Sequence, residues 1–148
     1  MKYTLDWLTN PEVFAVNRIA AHSDHRIYAN HFEADADNSS LIQNLNGTWK
    51  FLYDDDFRNL PAGATDPATD ISSWAEIKVP GNWEFQGFGT ALYVNHPFEF
   101  ATSNPVPPTL PEVIPGGIYR RDFGCRPIGK DATYTFTLPA SSRVFTSM

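Results

Sequence analysis

The side chains with the most chemistry to offer stand in short blocks. Trp49 closes Leu45-Asn46-Gly47-Thr48-Trp49, Asn82 and Trp83 close Val79-Pro80-Gly81-Asn82-Trp83, and Tyr93 and Asn95 lie in Leu92-Tyr93-Val94-Asn95. The Asn95 amide can donate and accept hydrogen bonds at once, and just before Pro97 it can equally cap a turn. His96 and Phe98 follow closely enough to line whatever Asn95 lines. Trp49 and Trp83 are either stacking platforms or core anchors, and strand tryptophans in a small domain favour the core. Other reactive types are poorly arranged for chemistry. Cys125 is alone, which excludes an internal disulfide and fits a reducing compartment. His22, His25, His31 and His96 make no zinc pattern and have no cysteine pair beside them. Asp54-Asp55-Asp56 are adjacent carboxylates in a loop, a pattern that reads as exposed charge rather than a metal cluster. Gly87-Phe88-Gly89 lacks the third glycine and the strand-to-helix setting of a dinucleotide loop.

The elements that must hold these blocks are short. With 148 residues the chain suits one domain, and 42% apolar and 14% aromatic residues suffice for one core. Twelve prolines and nine glycines interrupt it too often for long helices. Residues 1–35 show no sustained period and read as an extended arm, whose Trp7, Phe14 and Ile19 are buried only if it lies across another surface. Glu33 to Ser40 reads as a polar loop. From Leu45 to Tyr53 the alternation predicts a half-buried strand with Leu45, Gly47, Trp49, Phe51 and Tyr53 on one face. Asp54 to Asp70 reads as a solvated connection. Ser73-Trp74-Ala75-Glu76 has capping-box spacing for at most one helical turn, followed by a short strand over Ile77-Lys78-Val79 that Pro80 ends. Five prolines between Pro105 and Pro115 require an extended loop. Ile118 to Phe123 and the alternating Ala132, Tyr134, Phe136 and Leu138 predict two more strands. About four short strands with turns between them point to an all-β sandwich.

The formal charge of −6 argues against nucleic acid or an anionic membrane as partner. No apolar run approaches the roughly 18 residues of a membrane helix, and Asp6 interrupts the place of a secretory signal. A cytoplasmic protein is expected.

Five blocks in order carry a more specific message. Asn10-Pro11-Glu12-Val13 with Asn17-Arg18-Ile19-Ala20-Ala21-His22, then Leu45 to Phe51, Val79 to Glu84, Tyr93-Val94-Asn95 with Asn104-Pro105, and Gly116-Gly117-Ile118-Tyr119-Arg120-Arg121-Asp122-Phe123 span roughly 115 residues. Together they resemble the amino-terminal sugar-binding domain of the large β-galactosidases of glycoside hydrolase family 2. The resemblance implies a jelly-roll, galactose-binding-like β-sandwich, here incomplete, with an extended N-terminal arm at residues 1–35, the partial sandwich at 36–123 and a divergent tail at 124–148. It also implies that Asn95, with His96 beside it by adjacency, contacts the sugar in the barrel of a complete enzyme. Magnesium is implied near the arm, with Asp6, Asn10 and the Val13 carbonyl as the nearest equivalents of the family's oxygen ligands, although one extra residue separates Asp6 from Asn10.

Retaining glycoside hydrolysis needs two carboxyl groups about 5–5.5 Å apart, and the family keeps both in a barrel that follows this domain. No block here resembles the catalytic ones, so no catalytic residue is assigned. After Phe123 the sequence departs from the family. The expectation is therefore a β-galactosidase amino-terminal piece, inactive alone, whose partners are a β-galactoside such as lactose and the remaining domains or subunits of the enzyme. A stand-alone carbohydrate-binding module and a nonfunctional gene remnant are the alternatives.

Overall fold

The structure, a computed structural model, describes residues 9–16, 18–23, 25–91, 106, 110–125 and 134–137. Two units divide the chain: residues 45–124, and residues 1–44 with 125–148.

The unit at 45–124 is built on an antiparallel sheet of β1 (Gly47–Asp54), β2 (Ala75–Val79) and β3 (Gly116–Arg120) in the order β2-β1-β3. The alternation expected over Leu45 to Tyr53 governs β1, because successive side chains of a strand point to opposite faces. Trp49 pairs with Ile77 across one side of β1, and Phe51 with Tyr119 across the other. These residues form the core face, where Phe51 and Ile77 are each 1% exposed. Phe51 sits at its centre, with ring centroids 4.5 Å from Tyr119, 4.8 Å from Phe88, 5.8 Å from Trp83 and 6.2 Å from Tyr53. Such tilted and edge-on arrangements let ring edges meet ring faces. The opposite face is polar where β1 meets β2, with Lys50 pairing with Glu76 at 3.3 Å and the Lys78 ammonium donating to the Thr48 hydroxyl at 2.5 Å, and apolar where Leu52 lies opposite Ile118.

Several sequence expectations are corrected in this unit. The turn expected at Ser73 to Glu76 does not become helical. Trp74 N–H donates to the Ile71 carbonyl at 3.1 Å, and strand pairing starts at Ala75 because Phe51 lies opposite it. β3 runs over Gly116–Arg120 rather than from Ile118 to Phe123, since its register with β1 begins at Gly116 opposite Asp54. The connection after Asp54 is more than solvated loop: a 3₁₀ turn forms at Phe57–Asn59, and Ala64, 2% exposed, is buried.

In the other unit the polar segment expected as a loop from Glu33 to Ser40 begins instead inside a short helix, α1 (His31–Asp35). The cause is local. Asn30 Oδ1 accepts the Glu33 N–H at 3.0 Å, and Glu33 Oε2 accepts the N–H groups of Ala29 and Ser40, each at 3.0 Å. This is a variant of the capping box: asparagine is the N-cap, and the Glu33 carboxylate reaches back to the residue before it while also tying down the chain beyond the helix. The Ser39 hydroxyl donates to the Ile27 carbonyl at 2.6 Å, and Asp37 accepts from both Arg26 and Tyr28. No residue from 9 to 44 that is described is buried, and Phe14 and Ile19 remain 79% and 60% exposed. Of the strand expected at Ala132 to Leu138, residues 134–137 are described. They are not in a strand, and Tyr134 and Phe136 are exposed, because alternation alone supplies no neighbouring strand to pair with.

The Glu33 cluster makes a pH prediction. The Ser40 hydroxyl, then the Ala29 and Ser40 N–H groups, hold the carboxyl below its ordinary value of 4.5. Because the folded value is depressed, the order that Glu33 imposes is present above that ordinary value and is lost as pH falls through the lower folded one. A carboxyl-carbon NMR titration is expected to place Glu33 below an unstructured glutamate, with Ala29 and Ser40 amide exchange accelerating over the same interval. Titration at the ordinary value would contradict it.

Candidate functional site

The chain leaves β2 through a cis Val79–Pro80 bond and turns through a 3₁₀ segment, Glu84–Gln86. Two aromatics anchor this connection. Trp83 is 9% exposed, 5.8 Å from Phe51 and 5.6 Å from Tyr53, and Phe88 packs 5.9 Å from Tyr53. The Trp83 carbonyl accepts the N–H groups of Gln86 at 2.9 Å and Phe88 at 3.1 Å, which closes the turn between the two anchors. Gln86 adds a second fixation: its Oε1 accepts the Lys78 N–H at 2.7 Å and its Nε2 donates to the Lys78 carbonyl at 3.0 Å. The connection is thus held both by its aromatics and by Gln86 as it approaches Ala91, the last described residue before Tyr93-Val94-Asn95.

Trp83 is therefore a core anchor. Trp49 is half-buried against the same core, with its indole N–H donating to the Leu45 carbonyl at 2.8 Å. Asn95, His96 and Asp6 lie outside the described residues. Asn10 and Val13 are described and are brought together by one turn, in which the Val13 N–H donates to the Asn10 carbonyl at 3.1 Å. Asn10 Oδ1 accepts the Glu12 N–H at 3.0 Å, which leaves one lone pair on that oxygen. A neutral amide oxygen and a backbone carbonyl are hard donors of the kind magnesium takes, so these two residues fit the ion in chemical type. Among the described residues no three His, Cys, Asp or Glu gather as a metal-ligating group.

The acidic triplet is committed to local structure. Asp54 Oδ1 accepts the Asp56 N–H at 2.8 Å and the Asn59 amide at 3.0 Å, and Asp55 accepts the Tyr53 hydroxyl at 2.8 Å. Asp56 takes a forked pair of bonds from Arg58, which holds its carboxyl below the usual range. Arg58 also reaches the Glu112 carbonyl, joining this turn to the chain just before β3.

Sequence reasoning missed the work of two arginines at the end of β3. Arg120 donates to the carbonyls of Asp66 at 3.0 Å, Thr69 at 3.1 Å and Pro67, so one guanidinium satisfies three loop carbonyls. Arg121 donates to the carbonyls of Leu45 at 2.6 Å and Asn46 at 2.9 Å, just ahead of β1. The available signal was the doubled arginine closing a strand, since a planar guanidinium presents five donors where loop carbonyls lack partners. Arg121→Ala is expected to cost about 1.5–3 kcal/mol of stability, the range for charge-assisted hydrogen bonds, read as a shift in the urea midpoint. A change within the error of the melt would show that water replaces the guanidinium without loss.

Comparison with known proteins adds a direct result. Residues 42–132 match the model of the glycosyl hydrolases family 2 sugar binding domain. The chain is 39% identical over 120 residues to a beta-galactosidase of Lactobacillus delbrueckii subsp. bulgaricus, an alignment covering 80% of this chain and 12% of that protein. It is 38% identical over 101 residues to a beta-galactosidase large subunit of Leuconostoc lactis, covering 67% of this chain and 16% of the relative. To a beta-galactosidase of Vibrio cholerae it is 35% identical over 118 residues, covering 80% and 11%. The chain thus spans between 11% and 16% of the length of these relatives.

Proposed function

Because this chain belongs to the family 2 glycosyl hydrolase sugar-binding domains, we propose that it serves as the amino-terminal sugar-binding domain of a β-galactosidase. Its all-β character and antiparallel sheet agree with the jelly-roll sandwich of that domain. The observation that supports the function is the match over 42–132, which takes in the rigid Trp83-to-Phe88 connection and the Asn95 block beyond it.

In this reading the domain contributes shape and hydrogen bonds rather than acid–base chemistry. Asn95 offers sugar hydroxyls a donor and an acceptor without placing a charge beside the catalytic carboxylates, and His96 lines the same pocket. The carboxylates come from the barrel of the complete enzyme, and the substrate is a terminal β-D-galactoside such as lactose. Asp6, Asn10 and the Val13 carbonyl are the residues that would hold magnesium at the arm, where the ion would supply positive charge. The working compartment is the cytoplasm. Among the described residues no helix is long and apolar enough to cross a membrane.

The test is aryl-galactoside turnover by the purified chain, alone and mixed with a family enzyme that lacks its amino-terminal segment. Turnover only in the mixture, weakened by Asn95→Ala, is the expected result. Turnover by the chain alone would overturn the assignment of catalysis to other domains. Silence in both tubes, with galactose or lactose shifting the chain's own NMR spectrum, would favour a stand-alone binding module.

A further inference from the structure

The two hydrogen bonds between Gln86 and Lys78 fix the direction in which the Lys78 backbone faces. In a strand, the N–H and C=O of one residue point to the same side, and alternate residues point to opposite sides. Gln86 takes both groups of Lys78, so these face away from β1. It follows that Trp49 and Ile77, and Gly47 and Val79, are the pairs that exchange hydrogen bonds within the sheet, while Glu76 and Lys78 present their backbone groups at the outer side of β2. No described strand pairs with that side. The Gln86 carboxamide takes both bonds that the N–H and C=O of one residue of an added antiparallel strand would make with Lys78.

β2 is self-complementary. If two copies of Ala75-Glu76-Ile77-Lys78-Val79 meet edge to edge about a two-fold axis at Ile77, Glu76 of each falls opposite Lys78 of the other. Those are the residues whose backbone groups face outward, so hydrogen-bonding register and charge agree in one arrangement. Their side chains lie on the polar face, where both are exposed. An isologous contact of this kind closes as a dimer. Folded domains commonly block such edges with short strands, lysines or local cover. Gly81 makes the block possible here: a Cβ at that position would lie 2.8 Å from Gln86 Nε2 and 3.0 Å from the Lys78 carbonyl oxygen.

We propose that Gln86 is a latch that keeps the outer edge of β2 closed against the same edge of a second copy of this chain. The latch does not depend on the sugar-binding role. Sedimentation of the full chain tests it. Gln86→Ala is expected to self-associate about tenfold or more tightly than the parent, and the gain is expected to vanish when Lys78→Pro is added, since proline has no N–H to offer the pairing. Absence of any gain in a folded Gln86→Ala chain, or a gain that survives Lys78→Pro, would overturn the proposal. If Gln86→Ala unfolds, amide exchange of the parent decides: protection at Lys78 is expected, and exchange at the unstructured rate there would remove the latch.

Discussion

Phe51→Ala is expected to lower the free energy of unfolding by about 3–5 kcal/mol, a large share of the roughly 5–15 kcal/mol that stabilises a folded domain. The size of the effect follows from position. Phe51 is 1% exposed in the middle strand, and it meets a ring from β3, one from β1 itself and two from the connection after β2. Removal deletes the transfer free energy of a buried ring and leaves a void bordered by rigid aromatics, which collapse poorly around it. Urea denaturation followed by tryptophan fluorescence measures the loss, since Trp49 and Trp83 report on this cluster. A loss below about 1 kcal/mol would mean that the ring is not the centre of the core. Phe51→Leu is expected to retain much of the stability, because apolar volume is largely kept.

The same residue marks what the sequence discloses. Alternation over Leu45 to Tyr53 is local and strong, so it reveals which side chains of β1 face inward. It does not reveal register. That Trp49 lies opposite Ile77 and Phe51 opposite Tyr119 depends on residues far along the chain. The α1 helix was legible in principle, since Asn30 and Glu33 stand at capping-box spacing, yet five residues are too few to show a period. The alternation at 132–138 looked as good as that of β1, and the backbone at 134–137 is nevertheless not strand. A strand is specified by its partner as much as by its own pattern.

For the candidate site, the blocks were legible as a set because each is an exceptional local solution: Trp83 anchors a turn, Gly117 admits a ring, and Arg120 and Arg121 satisfy loop carbonyls. Their physical roles were not legible. Arg121 lies 75 residues from the Asn46 carbonyl it satisfies, and nothing local announces that pairing. Gln86 is harder still. A lone glutamine in a turn has no signature, and only the eight-residue return to Lys78 gives it a task.

Gly117→Ala is expected to be strongly destabilising. A Cβ at this position would lie 2.6 Å from Trp83 Cζ3 and 2.6 Å from Phe51 Cε2, so two ring systems must move to admit it. Overpacking of this kind costs about 1–3 kcal/mol, and neither ring has open space to enter. Gly63→Ala is the matched control: nothing lies within 4 Å of its Cβ, and a change of less than about 0.5 kcal/mol is expected there. The two core predictions are coupled. If the added methyl clashes with the Phe51 ring, the void left by Phe51→Ala admits it, and Gly117→Ala costs less in that background than in the parent. The relief is partial because Trp83 still bounds the site. A measured coupling of about 0.5 kcal/mol or more toward relief confirms that Gly117 is required by the Phe51 ring. Strict additivity would place the cost of the methyl elsewhere, in the strand backbone or against Trp83 alone.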